Sequence, residues 1–240
     1  MGMARDGRNR ISSGAFLRPR KFLASTYLAF TRRWNAKKRP IEVYHATDAQ
    51  NLRGEFKGWA TTDRDRLVAG LLPIIPASGV AGIVIGIQMI EFDAAMNSHP
   101  DLRKMFGTPY TACFQWTVQR VLGIQRKVKN RERLAFFHEA NEYEREALES
   151  FEWVKKNSNA GNVDMRLKFG TKQDYVPLQA ADVLAYEGNR RLRDPSRPER
   201  RAFQALSPEN ERLHVQYYGK KTMPWLIERL QKIKDGTLGN

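Results

Sequence analysis

Arg133-Leu134-Ala135-Phe136-Phe137 runs into His138-Glu139-Ala140-Asn141, then into residues 142–156, a polar stretch at 157–162, and residues 163–169. The first segment is short, apolar and aromatic, which predicts a strand. Residues 142–156 carry Tyr143, Ala147, Phe151 and Val154 at helical spacing beneath an acidic outer face, the pattern of an amphipathic helix. Val163, Met165, Leu167 and Phe169 then alternate with Asp164, Arg166 and Lys168, the pattern of a half-buried strand. Strand, helix, strand in that order argues for an α/β domain.

The flanking sequence extends this alternation. Upstream, Phe22, Leu23, Tyr27, Leu28, Phe30 and Trp34 predict a helix over 21–38, closed by Pro40. Ile41-Glu42-Val43-Tyr44 reads as a short strand leaving His45-Ala46-Thr47-Asp48 as a polar turn. Thr62 with Asp65 resembles a capping box that opens a helix through Leu67, Val68, Leu71 and Leu72. Residues 80–92 read as a buried strand, and Pro109 opens a helix to 126 whose apolar side includes Cys113, Phe114, Trp116, Val121 and Leu122. Residues 176–193 are helical, Asp194-Pro195-Ser196-Arg197-Pro198 breaks the chain, and 224–234 make a final helix. This predicts a basic arm at 1–10, one α/β domain at 11–193, and a C-terminal helical extension at 194–240 packed on it.

Of the 240 residues, 41% are hydrophobic, including 5 Trp and 12 Phe, enough apolar surface to exclude a disordered chain. A single cysteine, Cys113, excludes an internal disulfide framework and a multi-thiolate zinc site, and its apolar helical setting predicts core packing. The longest apolar run, 80–90, is interrupted by Gly82, Gly86 and Gln88 and falls short of the roughly 18 residues of a membrane span. No signal-peptide pattern precedes it, so the expectation is a cytoplasmic protein without a membrane partner.

Charge is the strongest compositional signal. Lys and Arg number 41 against 26 acids, a formal net charge of +15. Residues 1–40 hold eleven basic side chains, among them Arg32, Arg33, Lys37 and Lys38, against Asp6 alone. A second group comprises Arg190, Arg191, Arg193, Arg197, Arg200 and Arg201, and a third comprises Arg126, Lys127, Lys129, Arg131 and Arg133. Arginine forks match phosphate oxygens, so nucleic acid is the expected partner, with a merely solvated basic surface as the bland reading.

The most informative acid is Asp182, because almost every neighbour in Val176-Pro177-Leu178-Gln179-Ala180-Ala181-Asp182-Val183-Leu184-Ala185-Tyr186 is apolar. A buried carboxylate must meet a metal, a cationic side chain or backbone amides, and Gln179 shares its helical face. His138 and Glu139 follow one predicted strand, and His45 and Asp48 another. Ligand sites in open α/β sheets gather beyond the carboxyl ends of strands, although such residues also serve as turn or cap residues. Hard oxygen ligands from these places suit Mg²⁺ or Mn²⁺, the ions of phosphodiester hydrolysis. No Walker A, GxGxxG, HExxH or GxSxG sequence occurs. His99 and His214 stand apart from any acid cluster, and Trp59 beside Lys57 reads as a core aromatic before a stacking one.

Three segments together resemble domain-of-unknown-function family 3800. They are Tyr44-His45-Ala46-Thr47-Asp48 with Phe56-Lys57-Gly58-Trp59, Leu134-Ala135-Phe136-Phe137-His138-Glu139-Ala140-Asn141-Glu142, and Pro177-Leu178-Gln179-Ala180-Ala181-Asp182-Val183-Leu184-Ala185-Tyr186-Glu187. The resemblance runs from about residue 14 to 193. That family is similar to ribonuclease H-like proteins, so the resemblance implies a mixed central sheet flanked by helices and an acidic metal site. Carried onto this chain, Asp182 and Glu139 would bind Mg²⁺ or Mn²⁺, with His45 and Asp48 the polar pair beside them. The departure is at the start: the family's first strand, ending in an Asp-Glu-Ser-Gly type turn, has no counterpart, and Ile11-Ser12-Ser13-Gly14-Ala15-Phe16-Leu17 looks like the second strand. A missing first strand would leave a sheet edge open for a homodimer.

The resulting expectation is a divalent-metal-dependent nuclease or its truncated relative, acting on nucleic acid with Asp182, Glu139, Asp48 and His45 in the site. Phosphates would meet Arg190, Arg191, Arg193, Arg32, Arg33, Lys37 and Lys38. The alternatives are a catalytically inactive nucleic-acid-binding module of the same fold, or an interaction protein with an acidic partner.

Overall fold

The computed structural model describes residues 2–6, 10–17, 24–127, 133–158, 163–194, 196, 198, 200–206 and 213–235. Arg8, Arg18, Arg20, Lys21, Lys129, Arg131 and Arg197 of the basic groups lie outside the described residues. The chain is a mixed α/β protein. In order it forms β1 (Gly2–Asp6), β2 (Arg10–Leu17), α1 (Ala24–Lys37), α2 (Ala46–Asn51), a 3₁₀ turn (Gly54–Phe56), α3 (Thr61–Leu71), α4 (Ile74–Ala77) and β3 (Ala81–Gln88). It continues with α5 (Met89–Asn97), α6 (Pro100–Phe106), α7 (Pro109–Lys127), β4 (Leu134–Glu139), α8 (Glu144–Asn157), β5 (Met165–Gly170), α9 (Pro177–Arg193), α10 (Arg201–Leu206), β6 (Leu213–Tyr218) and α11 (Met223–Lys234).

One sheet has the order β1-β2-β3-β6, with β1, β2 and β3 antiparallel and β6 parallel to β3. A second pairs β4 and β5 in parallel, Glu139 opposite Gly170. β3 is the hinge of the architecture because its side chains divide by parity. Ile83, Ile85 and Ile87 enter a core with Phe114 and Cys113 of α7. Val84 enters a second core with Val183 and Leu184 of α9 and Trp34 of α1. Glycines 82 and 86 share Val84's parity, and Gly188 on α9 lies so close that an added Cβ would meet Val84 at 2.5 Å. The helix carrying Asp182 therefore sits tightly on β3 and crosses β1 and β2. Pro177 opens α9, and Arg190, Arg191 and Arg193 occupy its last turn, where cations suit the carbonyl end.

Several expectations change. The residues expected as a basic N-terminal arm, 1–10, include a strand, β1, paired with β2 from Gly2↔Gly14 to Asp6↔Arg10. A strand thus precedes residues 11–17, with Asp6 as its last residue, and the β2 edge expected to be open for a second chain is taken by β1. Gly2-Met3-Ala4-Arg5-Asp6 lacks apolar alternation, so only the backbone ladder reveals it. The C-terminal stretch is not purely helical, because β6 joins the main sheet beside β3. The predicted strand 80–92 ends at Gln88, where α5 begins. The predicted capping box is not formed: α3 starts at Thr61 after Ala60 with no side-chain cap, and Asp65 pairs instead with Arg64 Nε at 2.6 Å.

Residues 41–44 form no strand, and Glu42 and Val43 lie in a bend. Ile41 N–H donates to the Lys38 carbonyl at 3.1 Å, and the next three amides are met by side chains: Glu42 N–H and Val43 N–H donate to the Glu55 carboxylate at 2.5 and 2.8 Å, and Tyr44 N–H donates to Gln179 Oε1 at 3.0 Å. Side-chain acceptors replace the strand partner that the β-rich sequence led one to expect. No described helix is long and apolar enough to cross a membrane.

Candidate functional site

The site assembles where β4, β5, the start of α2 and the first half of α9 converge. β4 and β5 are parallel, so their carboxyl ends deliver Glu139 and, two residues past Gly170, Lys172 to one side. From α9, Gln179 is fully buried and works as a hub. Its Oε1 accepts from Trp34 Nε1 at 2.8 Å and from the Tyr44 amide, and its Nε2 donates to the Lys172 carbonyl at 2.8 Å. One amide thereby ties α1, residues 41–45 and the loop after β5 to α9. Asp174 fixes that loop by accepting from Thr171 N–H at 3.0 Å and Thr171 Oγ1–H at 2.7 Å, contacts that hold its carboxyl below the usual carboxylate range.

Asp182 is buried, one helical step from Gln179. Its Oδ2 accepts from Ala46 N–H at 2.8 Å, capping α2 from another helix, and meets Lys172 Nζ at 3.1 Å. The Lys172 ammonium also lies 3.4 Å from Glu139 Oε1 and donates to His45 Nδ1 at 2.9 Å. Asp48, in the first turn of α2, lines the same cleft of about 420 Å³ together with His45, Gly54, Glu139 and Lys172. Gly54, at φ +54°, makes room for Asp48: a Cβ there would meet Asp48 Oδ2 at 2.9 Å.

Of the four predicted site residues, His45, Asp48 and Glu139 therefore share one cleft, and Asp182 stands behind Lys172 at its wall. His138, the other histidine after a predicted strand, belongs elsewhere. It is buried, with Nδ1–H donating to the Glu139 carbonyl at 2.7 Å and Nε2 accepting from Tyr110 Oη–H at 2.6 Å. Burial pushes its pKa down to about 4. It steadies the backbone of Glu139 without reaching the cleft. Tyr44 is likewise buried, its hydroxyl pKa raised first by burial and then by the charges of Asp182 and Glu187. His99 and His214 lie apart, His99 against the Ala95 carbonyl and His214 against Arg120.

Lys172 was not among the predicted residues. The signal that could have found it is its position: Thr171-Lys172-Gln173-Asp174 stands beyond a predicted strand and before the helix of Asp182.

The carboxylates expected to hold Mg²⁺ or Mn²⁺ are thus both engaged by the chain's own cation. Among the described residues no group of three or more His, Cys, Asp or Glu is arranged to hold a metal ion. With the ammonium between Asp182 and Glu139, the residues as arranged do not fit a divalent ion.

The predicted phosphate-binding residues fall on two surfaces. On α1, Arg32, Arg33 and Lys37 are exposed while Phe30 and Trp34 are buried, and Lys38 is half-buried, its pKa lowered by burial. On α9, Arg193 is exposed and Arg190 is half-buried against Tyr186, Nη1 donating to Oη at 3.0 Å. Cys113 is in the core, near the Ile85 carbonyl, and burial raises its pKa. No protein-family model, no curated protein and no solved structure matches the chain.

Proposed function

We propose that this chain is a nucleic-acid-binding protein on a ribonuclease H-like plan, gripping phosphates without cleaving them through a metal ion. The observation that carries the binding reading is the outer face of α1: Arg32, Arg33 and Lys37 are exposed and no acid stands on that helix. The last turn of α9 adds Arg190, Arg191 and Arg193. The net charge of +15 supplies long-range attraction for a polyanion. The resemblance to family 3800 supports the plan, and the Lys172 contacts favour the non-cleaving member of the two nucleic-acid readings.

The test is fluorescence anisotropy with single- and double-stranded DNA and RNA over a salt series in EDTA. Binding should survive chelation and weaken with salt, with a log-log slope of about −0.9 for each B-DNA phosphate neutralised. The triple variant Arg32→Ala/Arg33→Ala/Lys37→Ala should flatten that slope by about three phosphates' worth. Salt-independent or absent binding would point instead to an acidic protein partner.

The nuclease reading keeps one observation in its favour, the convergence of His45, Asp48, Glu139 and Asp182 on one cleft and its wall. Cleavage by the wild-type chain in Mg²⁺ or Mn²⁺, abolished by Asp182→Asn, would select it over binding alone.

A further inference from the structure

We infer that Lys172 is the resident cation of the carboxylate site: its ammonium takes the place between Asp182 and Glu139 that a divalent ion would take, so the chain maintains this cleft without metal. The inference stands whether or not the protein binds nucleic acid.

Three observations carry it. First, an ammonium has three N–H donors and no acceptor. Lys172 Nζ donates a hydrogen bond to His45 Nδ1 at 2.9 Å and forms ion pairs with Asp182 Oδ2 at 3.1 Å and Glu139 Oε1 at 3.4 Å. Its charge is met by both carboxylates, as that of an internal counter-ion should be. Second, the group is out of solvent: the Lys172 and Asp182 side chains are 7% and 9% exposed. A carboxylate so buried is stabilised by a cation, and a second, divalent cation beside the ammonium would be repelled at short range in a medium that screens poorly. Third, the lysine is held in place. Its carbonyl accepts from Gln179 Nε2, and Asp174 closes the turn around Thr171. Asp182 Oδ2 is further committed to the Ala46 amide. The ammonium is thus tethered at the site by its own backbone, and no free ion has to be captured from solution.

Removing the tethered cation should convert the site into one that accepts a divalent ion from solution. The experiment compares wild type, Lys172→Ala, Lys172→Gln and Lys172→Ala/Asp182→Asn by thermal melting in EDTA, Mg²⁺ and Mn²⁺, with Mn²⁺ binding followed by electron paramagnetic resonance. Wild type should melt at the same temperature in EDTA and Mn²⁺ and bind no Mn²⁺ that depends on Asp182. Lys172→Ala should melt lower in EDTA, bind Mn²⁺ and recover melting temperature as the ion is added, because a ligand bound by the folded state alone stabilises it. The double variant should bind none. Asp182-dependent stabilisation of wild type by Mn²⁺ would overturn the inference, since the lysine would then yield its place to the ion. So would a folded Lys172→Ala or Lys172→Gln protein that binds no more Mn²⁺ than wild type. Should neither lysine variant fold, the wild-type comparison decides alone.

Discussion

The two faces of the main sheet solve different problems. On the α7 face, Ile83, Ile85 and Ile87 meet Phe114, Cys113, Tyr110 and Phe151. The ionisable groups admitted there are kept neutral: burial pushes His138 down to about 4 and raises Cys113 and, to about 12, Tyr218. On the α9 face, Gly82 and Val84 let the helix approach closely: a Cβ added at Gly82 would meet Leu184 of α9 at 3.2 Å, and one at Gly188 would meet Val84 at 2.5 Å. There the buried charges stay paired, Asp182 with Lys172 and Glu187 with Arg200 at 3.1 Å. One face supplies apolar burial; the other carries the polar machinery. The cleft lined by His45, Asp48, Glu139 and Lys172 therefore adjoins the face whose helix is locked by close packing.

The largest test of this division is on the apolar side. Phe114→Ala removes a fully buried ring between β3 and His138 and should cost about 3–5 kcal/mol in denaturant unfolding. A loss below about 1 kcal/mol would mean that the α7 face is not the main source of stability.

His138 tests the neutrality rule. Its pKa falls from 6.5 in the unfolded chain to about 4 in the folded one, so between those values the unfolded state binds more protons. Its contribution is fully present above about pH 6.5 and is lost as pH falls towards 4, a change of about 3 kcal/mol at 1.36 kcal/mol per unit. Chemical denaturation across this window should show that slope in wild type and a shallower one in His138→Gln.

The smallest effect is expected on the α9 face. Glu187 has its pKa raised by burial, against the lowering influence of Arg200 and Arg190, and its Oε2 is buried without a hydrogen-bond partner. Because the folded state favours the neutral carboxyl, its contribution is greatest below pH 4.5 and declines as pH rises through the folded value. Glu187→Gln should therefore gain stability relative to wild type as pH rises from 4 to 7, a change readable by thermal melting. A relative loss over that range would mean that the Arg200 pairing outweighs burial.

Much of this was legible along the chain, and the exceptions share a cause. The alternation of Val163, Met165, Leu167 and Phe169, the apolar run at β3, and the spacing of Phe151 and Val154 encode their elements locally, because side-chain period is a local property. The burial of Asp182 was legible because its neighbours are apolar, and Cys113 read as core for the same reason. Ile41-Glu42-Val43-Tyr44 misled because its backbone partners are the side chains of Glu55 and Gln179, the second 135 residues away from Tyr44. β1 escapes a sequence reading because Gly2–Asp6 alternates weakly and its pairing with β2 decides its state, whereas Leu213, Val215 and Tyr217 of β6 alternate with His214 and Gln216 and carried a local signal.

The sequence by itself determined the α/β class, the buried strand within residues 80–92 and the handful of polar residues placed beyond strands or on a helix that must be buried. Only the tertiary structure decided which of those residues meet. It sent His138 into the core and His45 to the cleft, and it brought Lys172 between Asp182 and Glu139. Periodicity fixes which way a side chain faces, whereas the partner of a buried charge is fixed by chain segments distant in sequence, and here that partner was an ordinary lysine in a turn.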